Sequence, residues 1–210
     1  MVRRKLFVPV VIVTLLSISA AGVCLYLFYP RAPLPAGMKV DMCAPGIWIH
    51  AILRHPRTPL PAGTKVDRVI VIKHEKKLML VKEGKVLKTY RVALGCRKGR
   101  KIRQGDCRTP EGVYKLYRLY KNDDSRYHTA LRITYPNEDD KKLAKKLGIT
   151  NLGGDIEIHG MGKCRKMFPG GLERLHWLVN WTAGCIAVTD EEADEIYDAV
   201  PDGTPIEIKP

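Results

Sequence analysis

Val69-Ile70-Val71-Ile72, Lys77-Leu78-Met79-Leu80-Val81 and Val86-Leu87-Lys88-Thr89-Tyr90-Arg91-Val92-Ala93-Leu94 follow one another with only short polar breaks between them. Short runs rich in β-branched and aromatic residues, bounded by turn residues, read as strands. Glu83-Gly84 between the second and third runs is a tight-turn signal, so the three predict a meander that opens an antiparallel sheet. Further along, Thr109-Pro110-Glu111-Gly112 is a turn leading into the alternating strand Val113-Tyr114-Lys115-Leu116-Tyr117. Asp155-Ile156-Glu157-Ile158 alternates again, and Pro205-Ile206-Glu207-Ile208 closes the chain as a last strand.

Two helices interrupt this pattern. Asn137 after Pro136 is a good N-cap, and Glu138, Asp139 and Asp140 suit the positive end of the helix dipole, so a helix begins there and finishes at Gly148. Thr189 and Glu192 form a capping box for a second helix, which runs to about Val200 before Pro201-Asp202-Gly203. The pattern therefore predicts a mainly β fold with a few helices.

The chain has 210 residues, 45% hydrophobic and 28% charged, which is enough for one domain with a core and excludes wholesale disorder. Its formal net charge is +14. Such a balance attracts polyanions, nucleic acid included, but the N-terminus argues for another partner. Residues 6–29 carry no charge, and at 1.5 Å rise per residue they cross a hydrocarbon core of about 30 Å. Arg3, Arg4 and Lys5 precede this run, so residues 1–5 read as a cytoplasmic tail, 6–29 as a single-pass transmembrane signal anchor, and the remainder as extracytoplasmic. The alternative is a signal peptide cleaved near Ser19-Ala20-Ala21. Either reading exports the body of the protein, placing it at the inner membrane or in the periplasm, where cell wall or lipid head groups are the available polyanions and nucleic acid is not.

Residues 30–66 read as a proline-bearing spacer. They contain most of an internal repeat in which Arg31-Ala32-Pro33-Leu34-Pro35-Ala36-Gly37-Met38-Lys39-Val40-Asp41 recurs, 26 positions on, as Arg57-Thr58-Pro59-Leu60-Pro61-Ala62-Gly63-Thr64-Lys65-Val66-Asp67, with 9 of 11 residues matching. Two copies are too few for a solenoid. Residues 67–210 then form the folded domain. Of six cysteines, Cys24 lies in the apolar run, which leaves Cys43, Cys96, Cys107, Cys164 and Cys185 in a disulfide-permissive compartment. Five is odd, so one thiol stays free unless a bridge forms between chains. Cys96 and Cys107 bracket a short glycine-rich basic loop and are a plausible staple, although spacing alone does not fix the pairing.

The chemistry points to Ile156-Glu157-Ile158-His159-Gly160 and to Thr182-Ala183-Gly184-Cys185-Ile186-Ala187. His159 stands at the exit of a strand, and Cys185 stands at a turn entering an apolar one. A free thiol with a pKa near 8.5 is mostly unionised at neutral pH, and a histidine within hydrogen-bond reach lowers it and supplies a thiolate nucleophile. Gly184 permits close backbone approach, with amides there free to meet an oxyanion. Against this stand two plainer readings: a buried small hydrophobe for the cysteine and a satisfied strand-end histidine. A zinc site built from His159, Cys164, His176 and Cys185 has intervals of 5, 12 and 9, which match no zinc pattern.

Residues 68–210 resemble the catalytic domain of L,D-transpeptidases, the YkuD or ErfK/YbiS family. The resemblance rests on Ala93-Leu94-Gly95, Gly105-Asp106, Thr109-Pro110-Glu111-Gly112-Val113-Tyr114, Ile158-His159-Gly160, Thr182-Ala183-Gly184-Cys185-Ile186, and Tyr197-Asp198-Ala199-Val200-Pro201-Asp202-Gly203-Thr204-Pro205-Ile206, in the family's order. It implies a β-sandwich-like catalytic domain with Cys185 as nucleophile and His159 as general base. Backbone at Gly160 would orient the imidazole, amides of Gly184 and Cys185 would face the oxyanion, and Thr182 would support the turn. Many members carry a second histidine and an arginine where this chain has Ala183 and Ala187, which leaves the carboxylate-binding group open. Trp181, Asn180 and His176 are candidates, as is the loop carrying Arg100, Lys101 and Arg103. The plain alternatives are a solvated loop and core tryptophans.

The resemblance implies acyl transfer without a cofactor or metal, with peptidoglycan stem peptides as substrates. Cys185 takes the acyl group of a tetrapeptide stem as a thioester, releases the terminal D-residue, and passes the acyl group to an amine. With water as acceptor the same intermediate gives an L,D-carboxypeptidase or an amidase. The rival from another class is a non-catalytic wall-binding module in which Cys185 is structural.

Overall fold

The computed structural model of the protein describes residues 58–121, 126–168 and 172–210. The tail at 1–5, the anchor at 6–29, the first copy of the repeat, Cys24 and Cys43 lie outside the described residues. Among those described, no helix is long and apolar enough to cross a membrane.

Eight strands, β1 (Arg68–Ile72), β2 (Lys77–Lys82), β3 (Lys85–Arg91), β4 (Gly112–Lys121), β5 (Thr129–Ile133), β6 (Glu157–His159), β7 (Ile186–Ala187) and β8 (Thr204–Lys209), form one sheet. Their order is β3-β2-β1-β8-β4-β5-β6-β7. The predicted meander is present, with β1–β2 and β2–β3 antiparallel. Glu83 and Gly84 turn between β2 and β3 with φ of 50° and 75°, the left-handed conformation that fits the twist of a hairpin. The C-terminal strand β8 inserts in the middle, parallel to β1 and antiparallel to β4.

The sandwich-like arrangement expected from the resemblance is replaced by a single curled sheet. Just past β3, Ala93 bridges Ala187 of β7, through Ala93 N to Ala187 O at 3.0 Å and Ala187 N to Ala93 O at 2.8 Å. The chain leaving one edge of the sheet thus meets the other edge. Curling of this kind brings Val69, Val71, Leu78, Leu80, Leu116, Leu131, Ile158, Ile186 and Ile206, drawn from seven strands, into one core in which each is fully buried. At about 1.5–3 kcal/mol for each such side chain, this core dominates the stability of the domain.

Helix α1 (Glu138–Lys146) starts at the predicted N-cap Asn137, which also closes a capping box with Asp140, and helix α2 (Asp190–Ala199) carries the predicted Thr189 box with Glu192. Asp140 does more than cap. Its buried carboxylate also accepts from Arg100 at 2.7 Å and from the Tyr114 hydroxyl at 2.9 Å, tying α1 to the loop before β4 and to β4 itself. Ala193, Ile196, Ala199 and Val200 turn one face of α2 into the core.

Residues 30–66 were expected to be spacer throughout, yet the end of that stretch is part of the domain. Val66 is buried and Leu60 packs on the core. Val66 N donates to Ala199 O at 3.0 Å, Lys65 Nζ to Asp198 O at 2.6 Å, and Leu60 N to the Glu195 carboxylate, which Lys88 and Tyr90 also hold. The second copy of the repeat is a strap laid along α2, because its leucine and valine have an apolar seat there.

Candidate functional site

β6 and β7 run parallel, with Ile158 beside Ile186 and His159 beside Ala187. Ile158 and Ile186 both point into the core. Side chains alternate along a strand, so Glu157, His159 and the entry to β7 at Cys185 share the opposite face. On that face the rings of Tyr127 and Trp181 border His159, and two 3₁₀ turns, Gly162–Met167 and Leu172–Leu178, lie between His159 and Trp181 in the chain. Cys185 is half-buried, while His159 is closed off from solvent.

The turn before Cys185 is held by Thr182. Its Oγ1 donates to Cys185 O at 2.7 Å and accepts from Gly184 N at 3.2 Å, while its backbone pairs with Leu94 O and Cys96 N. Gly184 has φ of +142°, and a Cβ there would lie 2.7 Å from Arg108 O. Only glycine fits both the angle and the space. The Gly184 amide, expected from the resemblance to face an oxyanion, is thus engaged by Thr182.

His159 Nδ1 donates to Gly160 O at 2.6 Å, which leaves Nε2 as the acceptor nitrogen of a neutral ring. Burial drives its pKa down to about 4, outweighing the Gly160 hydrogen bond and the Asp190 carboxylate, which favour the charged form. The ring lies 4.3 Å from that of Tyr127 and meets the edge of Trp181 at 6.0 Å. The sequence reading expects a thiol pKa lowered by the imidazole. In the structure burial instead pushes the Cys185 thiol up to about 11, with the nearby Glu157 carboxylate adding to the rise and Arg132 and Lys101 opposing it. The thiol donates to Asp155 O at 3.5 Å rather than to His159. Cys185 and His159 thus stand on one face of adjacent strands as a neutral thiol and a neutral imidazole.

Three residues of this site were not singled out from sequence. Arg132 on β5 pairs with Glu157 on β6, and its guanidinium donates to Asp155 Oδ1 at 2.6 Å and Glu157 Oε1 at 3.1 Å. Burial raises the pKa of the Glu157 carboxyl, against the pull of Arg132. Asp190, the first residue of α2, accepts from Met161 N at 2.6 Å, Gly162 N at 2.8 Å and Arg165 at 2.7 Å, and so pins the chain just after His159. The alternating pattern signals only that Glu157 lies on a strand and gives no strand at Arg132; their pairing comes from the register.

Of the other residues proposed for substrate contact, Trp181 borders His159. His176 is buried, its ring packed on Phe168 and Trp181. Asn180 Oδ1 accepts from Leu94 N at 3.3 Å and holds the strand exit. Arg103 is exposed on a loop folded around the Asp106 carboxylate, and it is buried Lys101 whose charge reaches the sulfur. Cys96 and Cys107 are free thiols in mutual contact; the hydrogen bond between the Cys96 thiol and Cys107 is the largest influence on Cys96 and raises its pKa.

Fold and site together define a class: a single-sheet domain presenting a half-buried cysteine and a buried neutral histidine on the outer face of two parallel strands. The L,D-transpeptidase catalytic domain family, YkuD, matches residues 67–208, and the chain belongs to that family. It is 32% identical to YafK of Escherichia coli (strain K12) over 102 residues, 49% of this chain and 32% of YafK, so the match spans about a third of that relative. Among solved structures, the helical cell shape determining protein Pgp2 of Campylobacter jejuni aligns with a TM-score of 0.50 and 26% identity over 78% of this chain and 54% of Pgp2. Bd1075 of Bdellovibrio bacteriovorus aligns with a TM-score of 0.47 and 23% identity over 71% of this chain and 50% of its own.

Proposed function

We propose that this protein is a peptidoglycan L,D-transpeptidase whose nucleophile is Cys185 and whose general base is His159. The observation that carries the reading is their placement on one face of β6 and β7, with His159 Nε2 left as an acceptor by the Nδ1–Gly160 bond. With a thiol near 11 and an imidazole near 4, the resting pair is neutral and no thiolate is stored. The proton therefore moves from sulfur to Nε2 as the sulfur attacks, once the thiol turns from Asp155 O toward the ring.

The sulfur adds to the carbonyl of the penultimate residue of a tetrapeptide stem, the C–N bond breaks, and the proton on His159 goes to the departing amine of the terminal D-residue. The resulting thioester is resolved by the amine of a neighbouring stem, which forms a new amide and returns the proton to sulfur through His159. Water in place of that amine yields a tripeptide. The charge-free run at 6–29 behind Arg3, Arg4 and Lys5 supports an inner-membrane anchor with the domain outside the cytoplasm.

Incubating the chain with tetrapeptide-bearing muropeptides, beside Cys185→Ala, tests the reading by mass analysis of the products. Cross-linked dimers that vanish in the variant support transpeptidation, and tripeptides alone make the enzyme a carboxypeptidase. No Cys185-dependent product at all removes the enzyme and leaves a wall-binding module.

A further inference from the structure

The donor peptide of the proposed reaction ends in a free carboxylate on its leaving residue. Three bonds separate the attacked carbonyl from that carboxylate, so with the sulfur at near-attack distance the carboxylate lies roughly 5–7 Å from it. A cation in that shell would read it. Ala183 and Ala187, on either side of Cys185, supply none.

The sheet register supplies one. Arg132 pairs with Glu157, and one strand further on along the same row stands Cys185. Adjacent strands are about 4.8 Å apart, so an arginine side chain based two strands away reaches the shell. Arg132 and Lys101 are the cations whose charge is felt at the sulfur. Lys101 is buried and spent on Asp106 at 3.1 Å. Arg132 is more than a third exposed and its Nε has no hydrogen-bond partner in the described residues; its NH2 is held by Glu157 at 3.1 Å, but its NH1 is held by the carboxylate of Asp155, whose side chain is 85% exposed.

Asp155 has a second role here. It is a non-glycine residue at φ of +54°, a conformation that costs energy unless the surroundings hold it. Its side chain occupies Arg132 while its backbone carbonyl accepts the Cys185 thiol. One residue therefore fills a carboxylate seat and holds the nucleophile away from its base.

We propose that Arg132 reads the free terminal carboxylate of the donor peptide, and that Asp155 is a latch which that carboxylate displaces, releasing the thiol toward His159. The inference rests on the acyl-transfer reading above. It makes Arg132 a specificity residue and Asp155 a positioning residue, and it couples recognition of the substrate's end to activation of the sulfur. Arginine suits the task because its several N–H donors let NH2 stay on Glu157 while NH1 exchanges Asp155 for the substrate's carboxylate.

The test compares a tetrapeptide stem carrying a free terminal carboxylate with the same stem carrying a terminal amide. Wild type should favour the acid in kcat/KM by about 10- to 100-fold, the range for a charge-assisted pair. Arg132→Gln should bring the acid-to-amide ratio of kcat/KM to about one, whatever it costs both substrates in common, and Arg132→Lys should keep part of the preference. Asp155→Asn should lower KM for the acid and speed alkylation of Cys185 by iodoacetamide. Equal losses on acid and amide in Arg132→Gln, or an acid preference that survives it, would overturn the proposal. Should wild type turn over neither stem, the acyl-transfer reading fails first; binding of acid against amide to Cys185→Ala, with and without Arg132→Gln, then decides whether the carboxylate seat exists.

Discussion

Gly160 lies so close to Asp190 that a Cβ placed on it would sit 2.6 Å from Asp190 Oδ1 and 3.1 Å from Tyr127 O. The glycine that follows the proposed base is therefore a matter of space. It lets the Asp190 carboxylate reach the Met161 and Gly162 amides, and those bonds fix the peptide whose carbonyl holds His159 Nδ1. Gly160→Ala should shift that carboxylate and cost about 1–3 kcal/mol for each amide left unsatisfied. Thermal unfolding and turnover should fall together, and an alanine variant with native melting temperature and full activity would contradict this packing.

Acid should destabilise the domain through His159. Its pKa is about 6.5 in the unfolded chain and about 4 in the folded one, so between those values the unfolded state binds a proton that the folded state refuses. Stability falls as pH drops from about 6.5 to about 4, by on the order of 3 kcal/mol, and is retained above that window. Chemical denaturation across pH, wild type beside His159→Gln, checks it; the variant should lose most of the slope in that window.

Iodoacetamide should label Cys185 slowly at neutral pH, because burial holds the thiol near 11. Peptide-mapped alkylation rates should rise steadily with pH through the alkaline range. A rate already at plateau by pH 7 would mean a stored thiolate, contrary to the neutral pair drawn here.

The strap over α2 should stabilise the domain. Val66 is buried and Leu60 packs beside it, so Val66→Ala should cost about 1–3 kcal/mol in urea unfolding without altering kcat. No change in stability would mean that residues 58–66 are spacer after all.

Cys96 and Cys107 should close to a disulfide when treated with oxidised glutathione, which is reduced to two thiols as the protein loses two hydrogens. Both residues already converge on Thr182 O, through Cys96 N at 3.0 Å and Cys107 Sγ at 3.8 Å, so activity should survive closure. Persistent glutathione adducts on both cysteines, or lost activity, would contradict that geometry.

The sequence carried its local signals faithfully and its long-range ones poorly. The Asn137 N-cap, the Thr189 capping box and the Glu83-Gly84 turn were legible because each is decided by residues within a few positions. Strand β5, Thr129–Ile133, was missed; its short run Thr129-Ala130-Leu131-Arg132-Ile133 is made a strand by β4 and β6 on either side. Motif and resemblance single out Cys185 and His159, but the lowered thiol pKa expected from spacing is not what the structure gives, since burial of both groups outweighs any mutual effect. Arg132, Glu157 and Asp190 acquire their roles only from register and packing.

The most direct measurement is the intact mass of the chain seconds after mixing with tetrapeptide stems, followed by peptide mapping. The account predicts a transient tripeptidyl adduct on Cys185, labile to hydroxylamine as a thioester is, absent from Cys185→Ala and slow to form in His159→Gln. Stems converted to product with no adduct on Cys185, or converted equally well by Cys185→Ala, would contradict it.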